Sequence, residues 1–229
     1  MTRENTNISE RAYQHIRESL LNSDSYVGQK IPHLELGRKL GISQTPLREA
    51  LFRLAAEGLL AHQNNRGFFV SEMDLEEAKE IYEARELIEP ALAEKAAGVV
   101  TDKQLKAFAR NLDEYERLYT QPYTRPRLLA DKKFHMGIAK LTGNNTLIGL
   151  LTQLFDRLIM KRPFEHLSLD RGKDAYQEHT SILEMLKNGE GLKAADFMRD
   201  HLRRQREYVL ADIKKRQNNQ TMNGFRPLK

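Results

Sequence analysis

Two helical hydrophobic periods separated by one glycine, then two short apolar runs around a polar tip, constrain this chain more than any other feature. They fall within residues 34–71. Leu34 to Leu40 carries Leu36 and Leu40 at i, i+4, and Gly41 supplies a tight turn. Leu47, Ala50, Leu51 and Leu54 follow at i, i+3, i+4, i+7, the spacing of one buried helical face. Thr45 is expected to be the N-cap and Pro46 the first helical residue, where its missing N–H would have had no partner. Gly58 ends this helix. Leu59-Leu60-Ala61-His62 and Phe68-Phe69-Val70-Ser71 read as strands joined by the tip Gln63-Asn64-Asn65-Arg66-Gly67. Helix, turn, helix and two-stranded wing together predict a winged helix-turn-helix.

The outward residues of the second helix point to DNA. Gln44, Thr45 and Arg48 lie off the apolar stripe and cluster at its N-terminal end with Ser43, the end from which such helices reach base edges. Arginine can bond guanine O6 and N7 together, and glutamine can bond adenine N6 and N7. Over residues 36–71, Arg38, Lys39, Arg48, Arg53 and Arg66 face only Glu49 and Glu57, an excess suited to phosphates. Arg66 and Gly67 place the wing tip against a minor groove or the backbone. An ordinary amphipathic surface helix would explain residues 43–51 equally well, and the flanking elements decide against it. Total charge does not help: the net +5 divides into +1 over residues 1–72, −2 over 73–202 and +6 over 203–229.

Residues 1–7 read as disordered, Ser9 as the cap of a supporting helix with Tyr13, Ile16, Leu20 and Leu21 on one face, and residues 23–32 as a loop. From Asp74 onward only helical spacing occurs. A long helix carries Ala78, Ile81, Tyr82, Arg85, Ile88 and Leu92, with a kink or break expected at Pro90. Thr101 or Asp102 caps the next, Gly143 stops a third, and a leucine-rich helix ends before Pro163. Helices at about 171–188 and 191–215 complete a bundle of about six, roughly residues 74–215. The domains are therefore expected at 1–72 and 73–216, with a polar, disordered tail at 217–229. No apolar run is long enough to span a membrane, the N-terminus has no apolar signal segment, and there is no cysteine. A cytoplasmic location is expected.

Four polar residues stand on apolar faces of the bundle. Asp131 and His135 are i, i+4 on a stripe with Leu128 and Ile138. His179 shares a face with Ile182, Leu183 and Leu186, and His201 with Ala194, Phe197 and Met198. Buried carboxylates and imidazoles need partners. Three imidazole nitrogens and one carboxylate oxygen around a divalent metal would satisfy all four together. Hydrogen-bonded core histidines and a plain Asp–His helix pair are the competing account. His15, His33, His62 and His166 lack this pattern and read as surface or loop residues.

The run Leu36-Gly37-Arg38-Lys39-Leu40-Gly41-Ile42-Ser43-Gln44-Thr45-Pro46-Leu47-Arg48-Glu49-Ala50-Leu51, with Glu57-Gly58-Leu59 and Arg66-Gly67-Phe68-Phe69-Val70, resembles the N-terminal domain of GntR-type transcriptional regulators over about residues 9–71. The family usually has arginine where this chain has Gln44, which implies that one arginine-to-guanine contact is missing and that the operator differs from the commonest family type. Asp131 to His135, Thr142-Gly143-Asn144, Glu178-His179 and Ala195 to Leu202 resemble the all-helical FCD effector domain of the FadR-type branch. In its metal-binding members the positions of Asp131, His135, His179 and His201 are the ligands, and all four residue types are present. The resemblance also implies a small carboxylic acid effector. Arg85 matches a first-helix arginine that can face the pocket, and an ion pair with Glu89 at i+4 explains it equally well. Asn144 can border the pocket or cap a helix end beside Gly143.

The expectation is a mainly α protein, a homodimeric regulator on a pseudo-palindromic operator whose affinity follows an acid bound at a zinc, nickel or manganese site. The rival reading, a metal-dependent hydrolase using the same cluster, finds no HExxH motif and no nucleophile elbow. A helical interaction module with a vestigial DNA domain is opposed by the complete reading helix.

Overall fold

A computed structural model of the chain describes residues 3–22, 27–120, 125–162 and 170–222. They fall into two compact units, Met1–Met73 with Phe155–Pro163, and Asp74–Leu154 with Phe164–Lys229. No helix among the described residues is long and apolar enough to cross a membrane.

The first unit opens with α1 (Arg3–Asn22), which begins before the expected cap at Ser9, so that Ser9 lies inside the helix. Tyr13, Ile16, Leu20 and Leu21 form its buried stripe. Helix α2 (His33–Leu40) closes on Gly41, whose φ of 63° suits a residue without Cβ. Helix α3 (Gln44–Ala56) starts earlier than expected: Ser43, not Thr45, is the N-cap, and Pro46 is the third helical residue. Proline is tolerated there because the first four helical N–H groups have no intrahelical acceptor. Leu47, Ala50, Leu51 and Leu54 are all buried, as the spacing required. Each fully buried leucine contributes about 1.5–3 kcal/mol.

Strands β1 (Leu60–Gln63) and β2 (Gly67–Val70) pair antiparallel with Leu60 opposite Val70 and Gln63 opposite Gly67. Asn65 at φ 60° and Gly67 at φ 100° turn the tip. Residues 28–31, expected as loop, add an extended segment against β2: Ile31 N–H donates to Phe68 O at 2.8 Å and Val70 N–H to Gln29 O at 2.9 Å. Phe155–Pro163 completes the unit, with Met73 N–H donating to Lys161 O at 3.1 Å and Arg17 ion-paired to Asp156.

The second unit is helical wherever it is described. Helix α4 (Leu75–Ala97) is capped by Asp74, which accepts from Glu77 N–H at 2.8 Å, and it runs through Pro90 without a break. Helix α5 (Asp102–Tyr119) carries a capping box between Thr101 and Gln104. Helix α6 (Arg125–Leu141) is followed by Gly143 at φ 66°, and α7 (Asn145–Met160) then begins. Helix α8 (Asp170–Lys187) precedes α9 (Gly191–Met222), which continues past the expected end near residue 215. The core joins Ala93 and Ala96 of α4, Phe108 of α5, Phe134 of α6, Ile182 of α8 and Met198 of α9. Small residues let helices approach closely: a Cβ on Gly137 would stand 2.7 Å from the Phe108 ring, and one on Gly191 2.7 Å from the Glu94 carbonyl oxygen.

Candidate nucleic-acid interface and metal centre

In the first unit the exposed surface at the start of α3 carries Ser43, Gln44, Thr45 and Arg48. The buried stripe on Leu47, Ala50, Leu51 and Leu54 fixes this orientation. The Gln44 amide nitrogen lies 2.8 Å from where a Cβ on Gly37 would sit, so α2 leaves room for it only because residue 37 is glycine. The Arg48 guanidinium lies 5.9 Å from the Phe52 ring centroid, within cation–π range. Phe52, 42% exposed, also meets His62 and Phe68 at centroid distances of 4.8 and 5.0 Å. This ring cluster braces the wing against α3. Arg38 and Arg66 are exposed, Arg66 with its charge 5.5 Å from the Phe69 ring centroid, while Gly67 is half-buried.

Arg53, expected at a phosphate, is exposed and also faces two acids of its own unit. It pairs with Glu10 at 2.5 Å and Glu57 at 3.2 Å and lies 3.7 Å from the Tyr13 ring centroid. These ion pairs lie on the surface of the unit. Burial and the bond to Glu57 push the Tyr13 hydroxyl up to about 12. The i+4 spacing to Glu57 was visible in the sequence, but the contact with Glu10 crosses 43 positions. Lys30 is exposed on the extended segment, which the sequence did not show because four residues give no strand periodicity. His15 and His62 are exposed and His33 half-buried, and His166 lies outside the described residues.

In the second unit, Asp131 and His135 of α6, His179 of α8 and His201 of α9 converge, each offering one ligand atom, all within 4.8 Å of one another. The three histidines are fully or almost fully buried, His135 at 1%, His179 at 0% and His201 at 1% exposure. His179 Nε2 is 3.5 Å and His135 Nε2 3.8 Å from Asp131 Oδ1. Neither nitrogen of His179, nor Nε2 of His201, has a hydrogen-bond partner among the described residues. Burial and the nearby His201 and His135 hold the His179 imidazole well below its usual range, and burial likewise lowers His201. Neutral imidazole is the ligating form.

Two carboxylates behind the cluster were not assigned from sequence. Glu89 of α4 bonds His135 Nδ1 through one oxygen and pairs with Arg85 Nε at 2.5 Å through the other. Glu178 of α8 accepts from His201 Nδ1 at 2.7 Å, from Arg204 at 2.8 Å, and from Arg171 in two bonds of 3.0 and 2.6 Å. Burial alone would raise both acids, but these cationic and N–H partners hold each at about 2. The Arg85–Glu89 pair was readable as i, i+4, whereas the contact with His135 spans 46 positions.

Arg85 is thus held by Glu89 in the buried layer behind the cluster. Asn144 is exposed, and its Oδ1 accepts from Leu147 N–H at 3.1 Å. It caps the start of α7, a correction to both its expected pocket role and its expected place at the end of α6.

The donor set fits a divalent ion. Ligands about 2.1 Å from a common ion stand roughly 3–4 Å apart, a spread these atoms nearly have already. Asp131, His135, His179 and His201 are the residues that would hold it, and a bound ion would supply Lewis acidity towards an anionic ligand.

The comparisons with known proteins bear on the two domains in which these residues lie. The family model described as "Bacterial regulatory proteins, gntR family" matches residues 8–70, and the FCD domain model matches residues 80–204. The Nta operon transcriptional regulator of Aminobacter aminovorans is 27% identical over 190 residues, covering 82% of this chain and 87% of that protein. The Uxu operon regulator of Haemophilus influenzae is 28% identical over 224 residues, covering 86% of this chain and 81% of that one. The solved structure of Escherichia coli McbR/YncC is similar in fold, with a TM-score of 0.77 at 18% identity over 90% of this chain and 97% of that one. The chain therefore belongs to the gntR family of bacterial regulatory proteins, as a DNA-binding transcriptional regulator whose second half is an FCD domain.

Proposed function

We propose that this regulator is a homodimer whose affinity for a pseudo-palindromic operator is set by a small organic acid bound at a divalent metal ion. The observation that carries the reading is the buried convergence of Asp131, His135, His179 and His201 inside the FCD-matching segment, where both His179 nitrogens and His201 Nε2 have no hydrogen-bond partner among the described residues. Three imidazoles and one carboxylate suit zinc, nickel or manganese, and an ion that takes five or six ligands there keeps positions open for a carboxylate effector. The acid shifts the helices only in so far as it binds one arrangement better than another.

In the first unit, Gln44, Thr45 and Arg48 read bases, Ser43 lies at the same helix start, and Arg38 with Arg66 and Gly67 contacts phosphate or a minor groove. Lys30 joins these cations, whereas Arg53 acts by holding α1 against α3. Two copies supply two half-sites. Residues 1–72 carry the reading head and residues 73–216 the sensor, in a protein that works in the cytoplasm and is not an enzyme.

The test is direct. Elemental analysis of purified protein should find about one divalent ion per chain, lost in H179A/H201A. Selection from a random duplex pool should return a two-fold sequence, and a screen of small acids should find one that releases it. A metal-free wild-type protein after growth with zinc, nickel and manganese would overturn the sensor reading, and selection of no sequence would overturn the reader. Turnover of esters or amides by the purified protein would favour the hydrolase instead.

A further inference from the structure

The three imidazoles enter the cluster with unequal support. His135 Nδ1 is bonded to Glu89, which Arg85 holds from its other oxygen. His201 Nδ1 is bonded to Glu178, which Arg171 grips with two parallel bonds and through Nε ties to Gln205 of α9 at 3.1 Å. Each is an Arg–Glu–His relay resting on a buried guanidinium, Arg85 at 1% and Arg171 at 8% exposure. His179 has no such relay among the described residues: neither of its nitrogens has a hydrogen bond there, and its ring stacks on Phe134 at 4.3 Å and 22° with Tyr115 edge-on at 5.4 Å.

The difference has a chemical consequence. An ionised carboxylate only accepts, so it draws the imidazole proton to Nδ1 and leaves the Nε2 lone pair facing inward. A half-turn of the His135 or His201 ring would break that bond. A half-turn of His179 leaves its stacked faces in place, so the Phe134 contact fixes the plane of the ring but not which edge meets Asp131. Asp131 Oδ1, 3.5 Å from Nε2, makes no hydrogen bond to it, and no other described residue bonds His179 to select its tautomer.

Resting on the metal reading above, we propose that Glu89 and Glu178 are positioning residues that preset His135 and His201 as two fixed ligands, and that His179 is the exchangeable third ligand whose loss the site tolerates best. The order of ligand strength is thereby written into hydrogen bonds outside the coordination sphere.

Long-range proton–nitrogen spectra of the full-length, metal-free protein test the proposal without any metal. His135 and His201 should each show one tautomer, protonated at Nδ1, and His179 should show both. E178Q should mix the His201 tautomers and leave His135 unchanged. In cobalt titrations followed by visible absorption, E89Q and E178Q should each weaken binding roughly 10–100-fold. H179A should cost at least about tenfold less than H201A, the lower end of that same range. A single Nδ1–H tautomer at His179, or an H179A loss equal to that of H201A, would overturn the ranking. Should H201A not fold, E178Q and the wild-type spectra decide. If wild-type protein binds no cobalt, the ligand assignment and the metal reading fail together, while the spectra still rule on the tautomers.

Discussion

Consider removing Glu89, which is 2% exposed between the almost fully buried Arg85 and His135. E89A takes away the carboxylate that faces the Arg85 guanidinium, and breaking such a buried pair costs about 3–5 kcal/mol. Arg85 also lies 5.1 Å from the Tyr82 ring centroid and feels the charge of Asp131, so the lower end of that range applies. His135 Nδ1–H also loses its acceptor, a further penalty of about 1–3 kcal/mol. The double variant R85M/E89L shares the second loss but not the first, because it leaves no guanidinium and keeps much of the volume. It should therefore be more stable than E89A by about 2 kcal/mol or more, despite carrying two changes. In a helical unit of this size that is about 4–8 °C in melting temperature. Thermal unfolding followed by circular dichroism in excess chelator isolates this effect from metal binding. If the double variant melts at or below E89A, the charge of Arg85 is not what Glu89 balances, and the reasoning about the buried layer is wrong.

Other outcomes follow from the same structure. R48A should lose about 1–3 kcal/mol of operator discrimination in competition binding while keeping its fold; unchanged selectivity would remove Arg48 from the base readers. R53A should lower the melting temperature of the first unit by disconnecting Glu10 and Glu57, yet leave the salt dependence of DNA binding unaltered, whereas loss of a phosphate contact would reduce that slope by about 0.9. L51A should cost about 2–5 kcal/mol, read by chemical denaturation, because its side chain is fully buried in the stripe that orients α3. The His179 imidazole is held below its usual value of 6.5 by burial and by His201 and His135, so the folded state keeps it neutral while the unfolded chain protonates. Its contribution is full above pH 6.5 and is lost as pH falls from there towards the folded value, so metal-free H179F should show a weaker loss of stability between pH 7 and 5 than wild type.

The two site cores were legible because both rest on helical periodicity. Leu47 to Leu54 at i, i+3, i+4, i+7 determined which side of α3 faces outward, and the same rule placed Asp131, His135, His179 and His201 on inward faces. What was missed lies across long sequence separations or in segments too short to show a period. Residues 28–31 pair with β2 through backbone bonds that carry no side-chain signature. Ser43 replaced Thr45 as the cap because Pro46 is as acceptable at the third helical position as at the first. Arg53 and Arg66 look alike in the sequence, but only Arg53 has Glu10 within reach. Glu89 and Glu178 occupy helical positions like any other acid, and only assembly of α4 with α6 and α8 with α9 brings them to histidine. Phe155–Pro163 belongs to the first compact unit although it follows most of the bundle in sequence.

The histidine at position 201 also stands near the start of a long helix whose next turns are packed, with Leu202, Val209 and Ile213 buried. Helix α9 continues from it for twenty-one residues to Met222, about 30 Å of rod at 1.5 Å per residue. A rotation of about 5° at that point would carry the far end by about 2.5 Å over that length. Because Val209 and Ile213 are buried along that length, an adjustment at the imidazole would be felt at the far end only if the packing of α9 moved with it.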